Sequence, residues 1–283
     1  MNLGQLFDFM KSRLGSLYPA RETNRMVQLI LNHAFGFEPI EIRENMNMTV
    51  PEDQEIEVMK KVERLVREEP LQYVLGETEF MGHRIQVGPG VLVPRLETEE
   101  LAEWIMQSEP LKTCQILDIG TGSGCLAIAL AHHFSGSRVM ATEHSPAALQ
   151  YAVHNARHYG LDIHFLEHDL LYSPIPMEPG SMDIIVSNPP YVTEGEKTGM
   201  QGNVLKWEPP EALFVRDADP LLFYRFIVPE SIRLLKPGGM LYLEINERFG
   251  PRINDLLSQE GFSDIEVKND MAGKPRMARG KKS

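Results

Sequence analysis

A chain of 283 residues, 42% hydrophobic and 24% charged, has the composition of a soluble globular protein with room for one large domain and one small one. Its formal net charge of −12 argues against a surface built to grip long nucleic acid, which needs cationic side chains against phosphate. There is no apolar run near the roughly 20 residues that span a bilayer and no leader-like N-terminus, and its only cysteines are Cys114 and Cys125, so a cytoplasmic protein without disulfides or a zinc site is expected.

Residues 1–72 predict a small all-α bundle. Leu3, Leu6, Phe7, Met10, Leu14 and Leu17 recur at spacings of three and four, and Pro19 ends that helix. A second helix places Met26, Leu29, Ile30 and His33 on one face and stops near Gly36. A third follows Pro51, with Glu52, Asp53 and Glu55 in the first turn, where acids suit the helix dipole, and Ile56, Met59, Val62, Leu65 and Val66 as its apolar stripe. Residues 73–95 form a linker in which "ETEFMGHRIQV" alternates around Met81-Gly82, the pattern of a short hairpin.

From residue 96 to 283 the chain predicts an α/β domain. "VPRLETEELAEWIMQ" leads from a loop into a helix. The segments "QILDIG", "RVMATE", "IHFLEHD", "MDIIVSN" and "MLYLEIN" then alternate with helical stretches. That alternation defines a Rossmann-like parallel sheet with helices on both faces. At the end, Lys274, Arg276, Arg279, Lys281 and Lys282 make a basic run, for which a frayed, solvated tail is the expectation.

The first strand of this domain runs into Asp118-Ile119-Gly120-Thr121-Gly122-Ser123-Gly124. Glycines at alternate positions let a strand-to-helix turn lie against a ligand with no Cβ in the way. The spacing GxGxG is more compact than the dinucleotide GxGxxG and resembles the S-adenosylmethionine loop of Rossmann-like methyltransferases. Glu143 closes the second strand, where such folds set an acid against ribose hydroxyls. Asp169-Leu170 follows the third, at the usual place for an adenine contact, although an aspartate there also suits an ordinary turn.

The fourth strand ends in Asn188-Pro189-Pro190-Tyr191. Two prolines fix φ and lock the turn where a ligand of an open α/β sheet lies. The Asn188 side-chain oxygen and the Pro189 carbonyl are two acceptors in a rigid fork, able to hold both hydrogens of a planar –NH2 group. Tyr191 offers a flat ring for stacking. Neutral Asn188 is no strong base, so its role would be orientation and stabilisation of positive charge developing on nitrogen. His132, His133, His154, His158, His164 and His168 show no ligand-rich spacing, and no metal site is expected.

The segments "EPLQYVLGETEFMG", "VLVPRLETEEL", "ILDIGTGSGCLAIALA", "DIIVSNPPYV", "EPPEALF" and "KPGGMLYLEIN" resemble, in order, those of the HemK/PrmC family. These enzymes methylate N5 of the glutamine in the Gly-Gly-Gln motif of peptide-chain release factors. The resemblance implies S-adenosyl-L-methionine contacts from Gly120, Thr121, Gly122, Ser123, Gly124, Glu143, Leu170 and Asn188, with Asn188 to Tyr191 holding the glutamine. It sets Arg95 and Glu97 of "PRLET" near the site and gives the N-terminal bundle to substrate recognition. A monomer, without membrane or direct nucleic-acid binding, is expected. Glu143 stands where the family more often has aspartate, and "EINERFG" lacks its usual glycine and glutamine. The same fork could hold an exocyclic amine of adenine or another base in DNA or RNA, which is the alternative reaction. A non-catalytic nucleoside-binding module would more often have lost the Asn-Pro-Pro-Tyr residues, and a nicotinamide dehydrogenase fits the glycine spacing poorly.

Overall fold

A computed structural model describes residues 1–110 and 113–283. The chain divides into two compact units, Met1–Glu77 with Gln201–Trp207, and Thr78–Met200 with Glu208–Ser283.

The first unit is helical: α1 (Leu3–Gly15), α2 (Ala20–Phe35), α3 (Pro39–Glu44), α4 (Glu52–Val66) and α5 (Leu71–Leu75). Asn2 caps α1 in a capping box with Gln5, its side chain accepting from the Gln5 N–H at 2.8 Å. Gly36 closes α2 in the left-handed conformation. The core gathers Leu3, Leu6, Met10 and Leu14 with Ile30, Leu31, Val58, Val62 and Leu65. On α4 the buried face is Val58, Lys61, Val62 and Leu65, whereas Ile56 is 45% exposed, which corrects the stripe expected from sequence. Ile56 and Val58 stand about 200° apart around a helix, so packing against α1 and α2 can bury only one of them. Leu17 lies beyond α1 and, like Leu29, is exposed. The "EPLQY" motif belongs to this unit. Arg64 donates to both Glu69 oxygens, at 2.8 and 2.5 Å, and to the Tyr73 carbonyl at 2.9 Å, fixing the turn into α5.

The second unit opens at Thr78, inside the first strand of the hairpin β1 (Glu77–Phe80) and β2 (His83–Gln86), with Met81 and Gly82 both at positive φ in the turn. It continues through α6 (Leu96–Ser108), β3 (Gln115–Ile119), α7 (Cys125–His133), β4 (Arg138–Glu143), α8 (Pro146–His158), β5 (Ile163–Glu167) and β6 (Met182–Ser187). A two-residue strand β7 (Val192–Thr193) pairs with β8 (Phe214–Val215), and α9 (Gly202–Trp207), between them in sequence, belongs to the first unit. The chain ends with α10 (Tyr224–Leu234), β9 (Leu235–Glu244), α11 (Gly250–Gln259), β10 (Phe262–Asn269) and β11 (Pro275–Lys282).

The seven-stranded sheet has the order β10-β11-β9-β6-β3-β4-β5. From β9 to β5 every pair is parallel, while β11 runs antiparallel to both its neighbours. The basic C-terminus is therefore an internal strand, not the frayed tail expected. Met277 and Ala278 are fully buried in it. Its cations are held by partners: Lys282 Nζ donates to the Ile232 and Leu235 carbonyls at 2.6 and 2.7 Å, Arg279 pairs with Glu266 at 2.6 Å, and Arg276 lies 3.4 Å from Asp270 and 3.2 Å from Glu247. Parallel strands buried on both faces, such as Ile116-Leu117 and Ile184-Ile185-Val186, need continuous apolar runs, and that is what made them readable.

Candidate active site

The carboxyl ends of β3, β4, β5 and β6 open on one cleft, the position where an open α/β sheet binds its ligand. The cleft encloses about 1120 Å3, its open mouth included. Gly120, Thr121, Gly122, Ser123, Glu143, Asp169, Leu170, Asn188, Pro189 and Pro190 all line it. Gly124 and Tyr191 do not; they sit behind it.

The glycine turn is bound to β4 through the Gly120 and Thr121 N–H groups, both donating to the Thr142 carbonyl at 2.9 and 3.0 Å. Gly120, Gly122 and Gly124 all have positive φ, so each glycine is required by the backbone itself. A Cβ on Gly120 would meet nothing within 4 Å, whereas one on Gly124 would lie 3.1 Å from the Ala152 backbone of α8. Gly124→Ala should therefore cost about 2–4 kcal/mol, from left-handed strain plus overpacking, and Gly120→Ala only about 1 kcal/mol. Urea unfolding midpoints check this; equal losses at the two positions would refute it.

Glu143 is buried, and both its oxygens are used. Oε2 accepts from the Gly122 N–H and Oε1 from the Ser145 N–H, each at 2.9 Å, and His144 Nδ1 lies 3.1 Å from Oε1. Burial pushes this carboxyl up, but the hydrogen bonds from His144, Ser145 and Gly122 outweigh it and hold the group below the ordinary carboxylate range. A carboxylate oxygen accepts more than one bond, so lone pairs remain for a vicinal diol. Asp169 has the turn role too: its Oδ1 accepts from the Leu171 N–H at 2.9 Å while the residue lines the cleft. A glycine turn with open space before it, an ionised buried acid and the apolar Leu170 fit a nucleoside-bearing cofactor.

Beneath the turn, Asp118 is fully buried. Thr121 donates to its Oδ2 at 2.6 Å, and Oδ1 has no hydrogen-bond partner although the first turn of α7 faces it. Burial pushes its carboxyl up to about 7, against the Thr121 bond. Asn155 on α8, which the sequence did not single out, donates to the Gln86 and Ser123 carbonyls at 3.0 and 2.9 Å and so stitches the hairpin to the glycine turn.

Across the cleft, the Asn-Pro-Pro-Tyr loop stands on a second buried carboxyl, Glu244 at the end of β9. Asn188 Nδ2 donates to Thr98 Oγ1 at 3.0 Å, Thr98 Oγ1 donates to Glu244 Oε2 at 2.7 Å, and the Tyr191 hydroxyl donates to Glu244 Oε1 at 2.8 Å. Tyr191 is thus an anchor with its ring against the sheet core, not the stacking surface read from sequence. Burial pushes Glu244 up to about 7, against the bonds from Thr98 and Tyr191; Glu97, Tyr224 and Arg276 also surround it. Neither Asn188 Oδ1 nor the Pro189 carbonyl takes a hydrogen bond from the described residues, which leaves both acceptors free.

Arg95 lines the cleft, but one of its nitrogens donates to both oxygens of buried Glu208, at 2.7 and 2.8 Å, tying the "PRLET" loop to "EPPEALF". Glu97 does not line the cleft, and Thr98, overlooked in the sequence, does. Among the described residues no His, Cys, Asp and Glu are grouped to hold a metal ion.

A seven-stranded sheet with one reversed strand, a GxGxG turn braced on a buried acid and two free acceptors across the cleft define a Rossmann-like methyltransferase. Residues 80–207 match the family model "Methyltransferase small domain", and residues 5–76 match "PrmC N-terminal domain". The chain belongs to the release factor glutamine methyltransferase family. It is 38% identical to the release factor glutamine methyltransferase of Bacteroides thetaiotaomicron over 97% of this chain and 98% of that one. It is also 38% identical to that of Flavobacterium psychrophilum over 93% of each chain. Among solved structures, a methyltransferase from Pyrococcus furiosus shares the fold at TM-score 0.52 and 18% identity, over 82% of this chain and 98% of that one. No helix among the described residues is long and apolar enough to cross a membrane.

Proposed function

We propose that this enzyme transfers a methyl group from S-adenosyl-L-methionine to the side-chain amide nitrogen of the glutamine in the Gly-Gly-Gln motif of peptide-chain release factors. The observation that carries this reading is a relation along 97% of the chain to a protein named for release factor glutamine methylation. The free acceptors Asn188 Oδ1 and Pro189 O support it, since a primary amide has two N–H hydrogens to give them.

S-adenosyl-L-methionine supplies, when bound, a methyl group made electrophilic by its sulfonium. Gly120 to Ser123 and Leu170 would border that molecule, and Glu143 would accept from its ribose hydroxyls. Asn188 and the Pro189 carbonyl hold the amide –NH2 in one plane and stabilise the positive charge that develops on nitrogen as the methyl group leaves a neutral thioether, before one amide proton passes to water. The two prolines keep both acceptors in place, so little reorganisation is needed as that charge appears. The helical residues 1–72 are assigned to binding the release factor, and a cytoplasmic enzyme follows from that substrate.

Methyl-labelled S-adenosyl-L-methionine, incubated with the enzyme and a release factor, should label the factor. Changing the Gly-Gly-Gln glutamine should abolish the label; labelling that survives the change would overturn the reading. Transfer to nucleic acid and to no protein would favour methylation of a base amine instead. A short Gly-Gly-Gln peptide should show a much higher KM than the whole factor, and equal KM values would remove the binding role from residues 1–72.

A further inference from the structure

A hydroxyl has one hydrogen to donate, and a carboxylate has none. Above the pH of about 7 to which burial raises its carboxyl, Glu244 is ionised, and the Thr98 and Tyr191 hydroxyls must then both donate to it, as their 2.7 and 2.8 Å contacts allow. Thr98 Oγ1 can then only accept from Asn188, at 3.0 Å. The amide end of Asn188 that can donate is Nδ2, so Nδ2 turns to Thr98 and Oδ1 is left for the cleft. A glutamine in place of Glu244 would lack this property. It accepts at one end and donates at the other, so one of the two hydroxyls would be released to point elsewhere. Only an acceptor at both ends commits both hydroxyls at once.

Resting on the reaction proposed above, we propose that Thr98 and Glu244 are positioning residues that set which end of the Asn188 amide faces the substrate. Without them the Asn188 side chain can present Nδ2 to the cleft, which sets donor against donor before a substrate –NH2. Neither residue need touch the substrate amide for this. The Pro189 carbonyl is held by backbone and cannot turn, so Asn188 is the one half of the fork whose polarity has to be set. Thr98 brings the "PRLET" segment into the chemistry, whereas its neighbour Arg95 serves the loop through Glu208.

Thr98→Val keeps the shape and removes the acceptor; Thr98→Ser keeps the acceptor. With wild-type enzyme methylating a release factor as the reference, Thr98→Val should lower kcat by about 10-fold or more, the worth of one hydrogen bond set wrongly. KM for the factor should hold, because most of its contacts lie elsewhere. Thr98→Ser should recover kcat to within about threefold of wild type. S-adenosyl-L-methionine affinity, measured by calorimetry without release factor, should fall far less than kcat in Thr98→Val. Wild-type kcat in Thr98→Val, no recovery in Thr98→Ser, or cofactor affinity falling in step with kcat would each overturn the proposal. Failure of the wild-type enzyme to label a release factor would instead remove the reaction on which it rests.

Discussion

Replacing Asn188 by alanine should lower kcat for methyl transfer about 10²–10³-fold, the cost of removing one preorganised group that stabilises developing charge. An amide nitrogen gives its lone pair up to the carbonyl, so holding it for attack is where this site has most to contribute. The alanine variant keeps the Pro189 carbonyl and all of the glycine turn, so affinity for S-adenosyl-L-methionine should fall far less than kcat. Calorimetry without release factor, set beside single-turnover transfer, separates the two. Asn188→Asp is expected to be worse than its size suggests. Thr98 Oγ1 would then lie between two carboxyl groups with a single hydrogen, since Nδ2 no longer donates to it at 3.0 Å. One carboxyl would have to take up a proton, and residual activity should rise as pH falls. An alanine variant with wild-type kcat would remove Asn188 from the chemistry.

How much of this was readable in the sequence depends on the kind of signal each feature leaves. The parallel strands were readable because burial on both faces demands an unbroken apolar run, as in Ile184-Ile185-Val186. The glycine turn was readable because positive φ at three alternate positions demands glycine itself. Strand β11 was not, because its buried Met277 and Ala278 sit among cations whose partners, such as Glu266 and Asp270, lie on another segment. The true face of α4 was hidden because a helix with apolar residues on two sides does not say which neighbour it meets. Thr98 and Asn155 leave no local mark at all. Each is a small polar residue inside a helix, and its role appears only when the fold brings Glu244 or Ser123 to its side chain. Tyr191 was found but misjudged. The sequence shows a ring next to a substrate loop, yet only the fold shows that its hydroxyl is spent on Glu244.

The ligand-free enzyme should lose stability as pH rises from about 4.5 to above 7, the reverse of the behaviour that salt-bridged carboxylates confer. Asp118 and Glu244 are fully buried, and burial pushes both up to about 7. A carboxyl whose pKa is raised by folding binds its proton more tightly folded than unfolded. Its contribution is complete below the unfolded pKa and is lost as pH climbs through the folded one. The two shifts correspond to losses on the order of 3–4 kcal/mol each. Glu143 works the opposite way. Burial raises its carboxyl, but its hydrogen bonds outweigh that and leave it lowered, so its contribution holds above the ordinary carboxylate range and is lost on acidification. Stability should therefore peak at mildly acid pH, and urea midpoints taken across the range measure it. Glu244→Gln removes one of these two raised carboxyls while still meeting the Tyr191 and Thr98 hydroxyls. It should flatten about half of the decline and be more stable than wild type at pH 8. The same variant should transfer methyl groups more slowly, because glutamine cannot commit both hydroxyls. A Glu244→Gln variant with the wild-type pH slope would show that this carboxyl is not carrying the decline. Stability gained at pH 8 together with kcat lost would mean that Glu244 is kept ionised for the sake of Asn188, at a cost to the fold.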